Sequence, residues 1–109
     1  MIRGTTPDYI LIIPGYDLTN ASVYVTISQD SNDKITLTGN DLYVTYAEDA
    51  SSVAFRLSQE NTLALKEGSA RVQVRWIYSD GQALATEDAK VYVNRVLLER
   101  VIEYAGNNP

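Results

Sequence analysis

The residues that could carry out chemistry in this chain are of few kinds, because histidine and cysteine are both absent. Their absence removes the commonest general base, the commonest metal ligand and the best side-chain nucleophile. Serines and carboxylates remain, but many acidic residues fall in predicted turns or in charged doublets such as Glu87-Asp88. Asp30, Asn32 and Asp33 resemble a calcium loop only in part, since the glycine and glutamate that complete an EF-hand loop are missing. We therefore predict no catalytic, cofactor-binding or metal-binding residue.

Tyrosine and arginine provide the more informative candidates. Eight of the ten aromatic residues are tyrosine, a residue enriched both in strands and at protein contacts. Outward-facing tyrosines could stack on a sugar, contact a protein, or simply occupy strand positions. Three arginines are predicted to share one outer sheet face with Gln73, as a solvated face or as a patch for an acidic protein partner. The predicted partner-binding residues are Tyr24, Tyr43, Tyr92, Arg56, Arg71 and Arg75.

Length and charge limit the possible classes of protein. A chain of 109 residues corresponds to one domain that can bury a core without disulfides. Its net charge of −5 argues against a nucleic-acid partner, because such proteins normally present a basic face. The longest unbroken apolar run, residues 9–13, is far shorter than a membrane span requires. We expect no membrane partner and a product of the cytosol that is not secreted by the usual route.

The elements that position these residues are predicted to be short strands. Runs of apolar, β-branched and aromatic residues, several of them alternating with polar residues, lie between turn signals at residues 9–13, 23–27, 34–38, 42–46, 53–57, 71–78 and 83–93. The first run is apolar throughout, which predicts a strand covered on both faces. Residues 60–66 are interpreted as a corner between sheets. The pattern predicts an all-β, immunoglobulin-like sandwich of about seven to eight antiparallel strands.

Alternation within these strands predicts the core and one irregularity. Phe55, Leu57, Val74 and Trp76 recur at period two and are expected in one core together with Val72. If residues 80–81 form a two-residue turn, Trp76 lies opposite residue 85 and Val74 opposite residue 87, a glutamate that the core would not accept. A β-bulge near residues 86–88 is therefore predicted. One domain is assigned to residues 1–102 and a frayed tail to residues 103–109.

Several segments resemble small structural proteins of phages and prophages from Gram-positive bacteria. The similarity covers most of the chain as a pattern of strands and turns, and it lies in residues 3–7 (RGTTP), 53–63 (VAFRLSQENTL), 70–76 (ARVQVRW), 80–86 (DGQALAT) and 91–97 (VYVNRVL). The chain also resembles, more distantly, the immunoglobulin-like N-terminal domain of phage baseplate upper proteins.

This resemblance implies a non-enzymatic virion component of the tail or baseplate. Its partners would be other virion proteins and copies of itself, without nucleic acid, membrane, cofactor or small-molecule substrate. It would be located in the virion, and in the cytoplasm of the bacterial host during assembly. The alternative is a carbohydrate- or host-surface-binding β-sandwich module, which the tyrosines suggest.

Overall fold

Eight strands, one short α-helix and one 3-10 helical turn (Gly39–Asp41) make up the protein in a computed structural model that describes residues 1–104, apart from the side chain at position 33. The elements are β1 (Asp8–Pro14), β2 (Ser22–Gln29), β3 (Asn32–Thr38), β4 (Tyr43–Ala47), β5 (Ala50–Arg56), α1 (Gln59–Leu63), β6 (Gly68–Ile77), β7 (Ala83–Ala85) and β8 (Ala89–Val93). No helix within the described residues is long and apolar enough to cross a bilayer. The predicted tail begins at residue 103, and its residues 105–109 lie outside the described residues.

The strands form two antiparallel sheets. One has the order β1-β5-β4, and the other has the order β3-β2-β6, with β7 and β8 both paired to the far side of β6. In the letters used for immunoglobulin domains, these orders correspond to B-E-D and C′-C-F-G. The predicted all-β immunoglobulin-like sandwich is therefore confirmed, and α1 forms the predicted corner between the two sheets.

The core lies between the sheets and contains the residues that alternation predicted. Phe55, Leu57, Val74 and Trp76 are buried, and Val72 is half-buried against the same cluster. Trp76 is 3% exposed. Its ring packs against the Tyr16 ring in a tilted arrangement, with the ring centroids 5.3 Å apart. Its Nε1 atom has no hydrogen-bond partner among the described residues.

The strand β1 corrects one prediction. It was expected to be covered on both faces, but only its odd-numbered residues face the core, while Ile10 and Ile12 are 65% and 60% exposed. The physical reason is that a sandwich has two layers, so each strand has one face with no layer over it. An apolar run alone does not distinguish a strand buried on both faces from one with an apolar outer face.

The hairpin after β6 corrects a second prediction. The Tyr78 N–H donates to the Gln82 C=O at 2.9 Å. Within the loop, the Gly81 N–H donates to the Tyr78 C=O at 3.0 Å, and Gly81 has a φ of +91°. The loop therefore has three residues rather than two, and Trp76 pairs with Leu84 instead of residue 85.

The predicted irregularity near residue 87 is nevertheless present. Residues 83–85 and 89–93 pair with β6 in registers that differ by one, and residues 86–88 are outside both strands. At the break the Thr86 hydroxyl accepts from the Val74 N–H at 3.2 Å, and the Thr86 N–H donates to the Val74 C=O at 2.9 Å. Glu87 is exposed, as the predicted bulge requires.

Candidate interaction surfaces

The outer face of the three-stranded sheet carries exposed apolar side chains. Ile10 of β1 lies opposite Ala54 of β5, which lies opposite Tyr43 of β4. Ile12 is the next outward residue of β1, and Tyr43 is 72% exposed. The small alanine between two large residues makes this surface shallowly concave. We call Ile10, Ile12, Tyr43 and Ala54 the apolar face.

An ion pair borders one end of the apolar face. Arg56 donates from Nε to Asp8 Oδ1 at 2.7 Å and from Nη2 to Oδ2 at 2.9 Å, in a bidentate geometry. The hydrogen bond and charge of Arg56 lower the pKa of Asp8, and Asp8 raises the pKa of Arg56. Both side chains are exposed, so the pair contributes little to stability, and the charges of its two groups offset each other.

A depression of about 460 Å³ lies at the same end. Its lining includes Tyr43, Ile10 and Arg56, together with Asn40 and Asp41 of the turn that precedes β4. An exposed aromatic ring beside amide, carboxylate and guanidinium groups can stack on a ligand while hydrogen-bonding to it.

The backbone of β1 is unpaired along its outer edge, because this strand pairs only with β5. The Leu57 N–H donates to the Pro7 C=O at 3.1 Å, and the Gly15 N–H donates to the Asp49 C=O at 2.7 Å. Backbone groups alternate in direction along an antiparallel strand, so the odd-numbered residues bond toward β5 and the even-numbered residues point away. The β1 edge therefore presents free N–H and C=O groups, which no described residue contacts by a hydrogen bond.

A cleft of about 340 Å³ opens beside this edge, between β1 of one sheet and the β7–β8 side of the other. We call it the open cleft. Its lining is mainly core-facing aliphatic and aromatic side chains, among them Leu11, Phe55, Val74 and Val91. It is open because residues 1–3 reach only the far end of β8: Ile2 forms a parallel bridge with Asn94. In immunoglobulin sandwiches with the order A-B-E-D, strand A pairs with the edge that is free here.

A second apolar surface follows β8. Large side chains in residues 97–104 are exposed, among them Leu97 at 89%. The segment has no strand or helix, but it is attached to the domain: the Gln59 amide donates to the Ile102 C=O at 3.1 Å and accepts from the Ile102 N–H at 2.8 Å. Arg3 forms an ion pair with Glu99 and also donates to carbonyl groups at the end of α1.

The structure divides the predicted partner-binding residues between opposite faces of the sandwich. Tyr43 and Arg56 lie on the three-stranded sheet, whereas the five-stranded sheet carries Tyr24, Arg71, Arg75 and Tyr92. The prediction that the three arginines share one face is therefore wrong, because β5 and β6 belong to different sheets. The predicted corner at α1 carries the chain from one sheet to the other, so the outward side chains of β5 and β6 lie on opposite sides of the sandwich.

On the five-stranded sheet the predicted residues form a polar surface. Tyr24 pairs directly with Arg75 across β2 and β6. Arg71 lies 3.7 Å from Asp88, and both side chains are more than half exposed. The Tyr92 side chain is exposed opposite Ser69. These contacts are spread over the sheet: Tyr24 lines a depression of about 440 Å³, and Arg71 lines a separate one of about 160 Å³.

Sequence reasoning missed the residues of the apolar face on β1. The available signal was topological: in a two-layer antiparallel sandwich, an apolar run of five residues must expose some of its side chains. Among residues 1–104, no group of three or more acidic, histidine or cysteine side chains is placed to hold a metal ion.

No known protein-family model matches this chain. No curated protein matches it either. Among solved structures, the V domain of amphioxus IgVJ-C2 is similar, with 11% sequence identity and a TM-score of 0.36, over 88% of this chain and 97% of that chain. The chain is an immunoglobulin-like β-sandwich by its two antiparallel sheets and their strand order.

Proposed function

We propose that this protein is a non-enzymatic structural subunit of a phage or prophage virion, in the tail or baseplate, and that it acts by binding other virion proteins and copies of itself. It works in the virion and, during assembly, in the host cytoplasm. Nucleic acid, membrane, cofactor and small-molecule substrate have no part in this function.

The observation that carries the proposal is the apolar face. Isolated exposed apolar residues are ordinary, whereas a contiguous group bounded by polar residues is typical of a protein interaction site. Here two isoleucines and a tyrosine surround a small alanine on adjacent strands, and the Asp8–Arg56 pair borders them. Aromatic residues are enriched at such contacts and charged residues are depleted from their centres, as they are on this face.

The sequence resemblance supports the identity of the partners, and the physical properties of the domain support the mode of action. A net charge of −5 opposes association of isolated copies in dilute solution. We therefore expect weak self-association and firm binding only in the presence of the assembly partner.

The decisive experiment is mass spectrometry of particles purified from an induced host strain that carries the gene. The protein is expected in intact virions or in assembly intermediates, and its absence from both would refute the virion proposal. A variant with Ile10→Thr and Ile12→Thr should be depleted from particles at least tenfold. The matched control is Ile77→Thr, since Ile77 is an exposed isoleucine on the opposite sheet.

The second candidate is a carbohydrate- or host-surface-binding module, which the depression beside Tyr43 favours. Its exposed ring and its neighbouring Asn40, Asp41 and Arg56 side chains offer both stacking and hydrogen-bonding groups. A glycan array tests it: binding that Tyr43→Ala abolishes and Tyr24→Ala preserves would support this candidate. An array with no bound glycan would reject it.

A further inference from the structure

We propose that the open cleft accepts an extended segment of another polypeptide, which adds a strand to the β1 edge and places alternate apolar side chains between the two sheets. This inference rests on the proposed function, since it specifies how a partner protein is bound. It predicts a binding mode known generally as β-strand addition, in which main-chain hydrogen bonds supply affinity and side-chain pockets supply specificity.

The first requirement is a free row of hydrogen-bonding groups. The even-numbered residues of β1 direct backbone groups away from β5: Asp8, Ile10 and Ile12 each present an N–H and a C=O, and Pro14 presents a C=O. An unpaired edge of this kind is a template for another strand. Pro14 has no N–H, so pairing is expected to end there.

The second requirement is a place for the side chains of the added strand. Residues of a strand alternate between two faces, so every second side chain of a segment paired with β1 would point into the open cleft. The cleft volume of about 340 Å³ is roughly twice that of a 150 Å³ cavity that holds a benzene ring, which makes room for about two large aliphatic side chains. Tyr9, Leu11 and Val91 are only half-buried around it, and the added side chains would complete their burial.

The charges around the cleft match an apolar, extended segment. The cleft lining contains one acidic and one basic residue, Glu87 and Lys90, and both are exposed. The charge of Asp8 at the start of the β1 edge is balanced by its ion pair with Arg56. The two side-chain charges of the lining offset each other, and the net charge of −5 favours basic residues at the ends of the added strand.

A second copy paired edge to edge fits less well. Seven residues at about 3.4 Å each and a sandwich about 10 Å thick give roughly 240 Å² of contact per copy. A stable interface needs about 800 Å² per partner. Edge-to-edge pairing would also leave both clefts unfilled and bring together two domains of charge −5. The contact area and the net charge therefore favour an inserted segment of a different polypeptide over a second copy paired edge to edge.

The test uses the full chain and a synthetic peptide, Lys-Thr-Val-Thr-Val-Thr-Val-Lys, with blocked ends. Its control peptide has proline in place of the central valine. By NMR, saturating peptide is expected to slow amide exchange of Ile10 and Ile12 at least tenfold and to shift the methyl signals of Leu11 and Val91. Unchanged exchange at Ile10 and Ile12, or equal binding of the control peptide, would overturn the proposal.

Two variants locate the binding. Ile10→Pro removes an N–H that does not bond to β5 and should weaken peptide binding at least fivefold. If this variant fails to fold, Ala89→Phe provides an independent test, because Ala89 lines the cleft and a phenyl ring there should compete with the peptide for space. The matched control is Ala85→Phe, an exposed alanine of β7 outside the cleft, which should bind the peptide as wild type does.

The outcomes separate this inference from the proposed function. Failure of peptide binding would exclude strand addition, while the protein could still be found in virions through contacts of the apolar face. Absence from virions would refute the virion proposal and leave measured strand addition intact. A concentration-dependent dimer that protects Ile10 and Ile12 without peptide would show that a second copy is the occupant and would overturn the inference.

Discussion

Replacing Ser51 with alanine should produce one of the largest losses of stability available from a single small substitution. Ser51 is fully buried on β5, and its hydroxyl makes two hydrogen bonds to the loop between β1 and β2. Its Oγ accepts from the Leu18 N–H at 2.9 Å and donates to the Tyr16 C=O at 2.6 Å. These bonds attach a loop whose Leu18 side chain is buried in the core.

The magnitude follows from the groups left without partners. A buried N–H that loses its acceptor costs about 1–3 kcal/mol, and loss of the bond to the Tyr16 carbonyl adds about 1 kcal/mol. We expect Ser51→Ala to lower the free energy of unfolding by about 2–4 kcal/mol. At about 4 °C per kcal/mol for a domain of this size, the Tm should fall by about 8–16 °C.

The assay is urea unfolding with a matched control in the adjacent residue. Ser52 has its side chain on the outer face and makes no side-chain hydrogen bond with the described residues, so Ser52→Ala should change stability by less than about 0.5 kcal/mol. Amide exchange of Leu18 should accelerate in Ser51→Ala alone. Equal stabilities of the two variants, or an unchanged Leu18 exchange rate, would refute the reasoning.

Three further predictions concern the core, a turn and acid stability. Trp76→Ala should lower the free energy of unfolding by about 3–5 kcal/mol, and Trp76→Phe should lower it markedly less, because the indole Nε1 has no hydrogen bond to lose. Equal losses of unfolding free energy in urea would show that the buried ring volume is not the cause. Glu48 lies in the turn from β4 to β5 with a φ of +54°, a conformation that asparagine tolerates better than glutamate. Glu48→Asn should therefore stabilise the protein by about 0.5 kcal/mol, and an unchanged or lower Tm would show that the backbone at this position is not strained. The pKa of Asp8 is lowered by Arg56, so its stabilising contribution is present above the unfolded value near 3.8 and is lost as pH falls through the lower folded value. Asp8→Asn should therefore reduce the dependence of Tm on pH below about pH 4, and an identical dependence in both proteins would exclude a role for the pair.

The surfaces identified on this domain differ in what could be known from sequence. Tyr43 was predicted as a contact residue because tyrosine is enriched at interfaces, and the structure places it on the exposed apolar face. Ile10 and Ile12 were assigned to a buried strand, since an apolar run carries no information about how many layers cover it. No sequence pattern predicts the open cleft, because the cleft depends on which strands form the edges of the two sheets.

Local patterns of residues determined the strands and the core of this protein. Period-two alternation in β6 specified that Val74 and Trp76 face inward and that Arg71 and Arg75 face outward, since the pleat of a strand fixes the direction of each side chain. The interruption between β7 and β8 lies where the sequence predicted it, although the two-residue turn on which that prediction rested has three residues. Such features depend on neighbours in the chain and are therefore readable from it.

Only the tertiary structure decided which strands that are distant in the sequence became neighbours. The tertiary structure carries the chain from β5 through the predicted corner at α1 to the other sheet, so Arg56 and Arg71 lie on opposite sides of the sandwich although both strands have the same alternation. It also left β1 at a free edge with one apolar face in solvent. Pairing between distant segments is set by the packing of the whole core, and alternation along a single strand does not encode it.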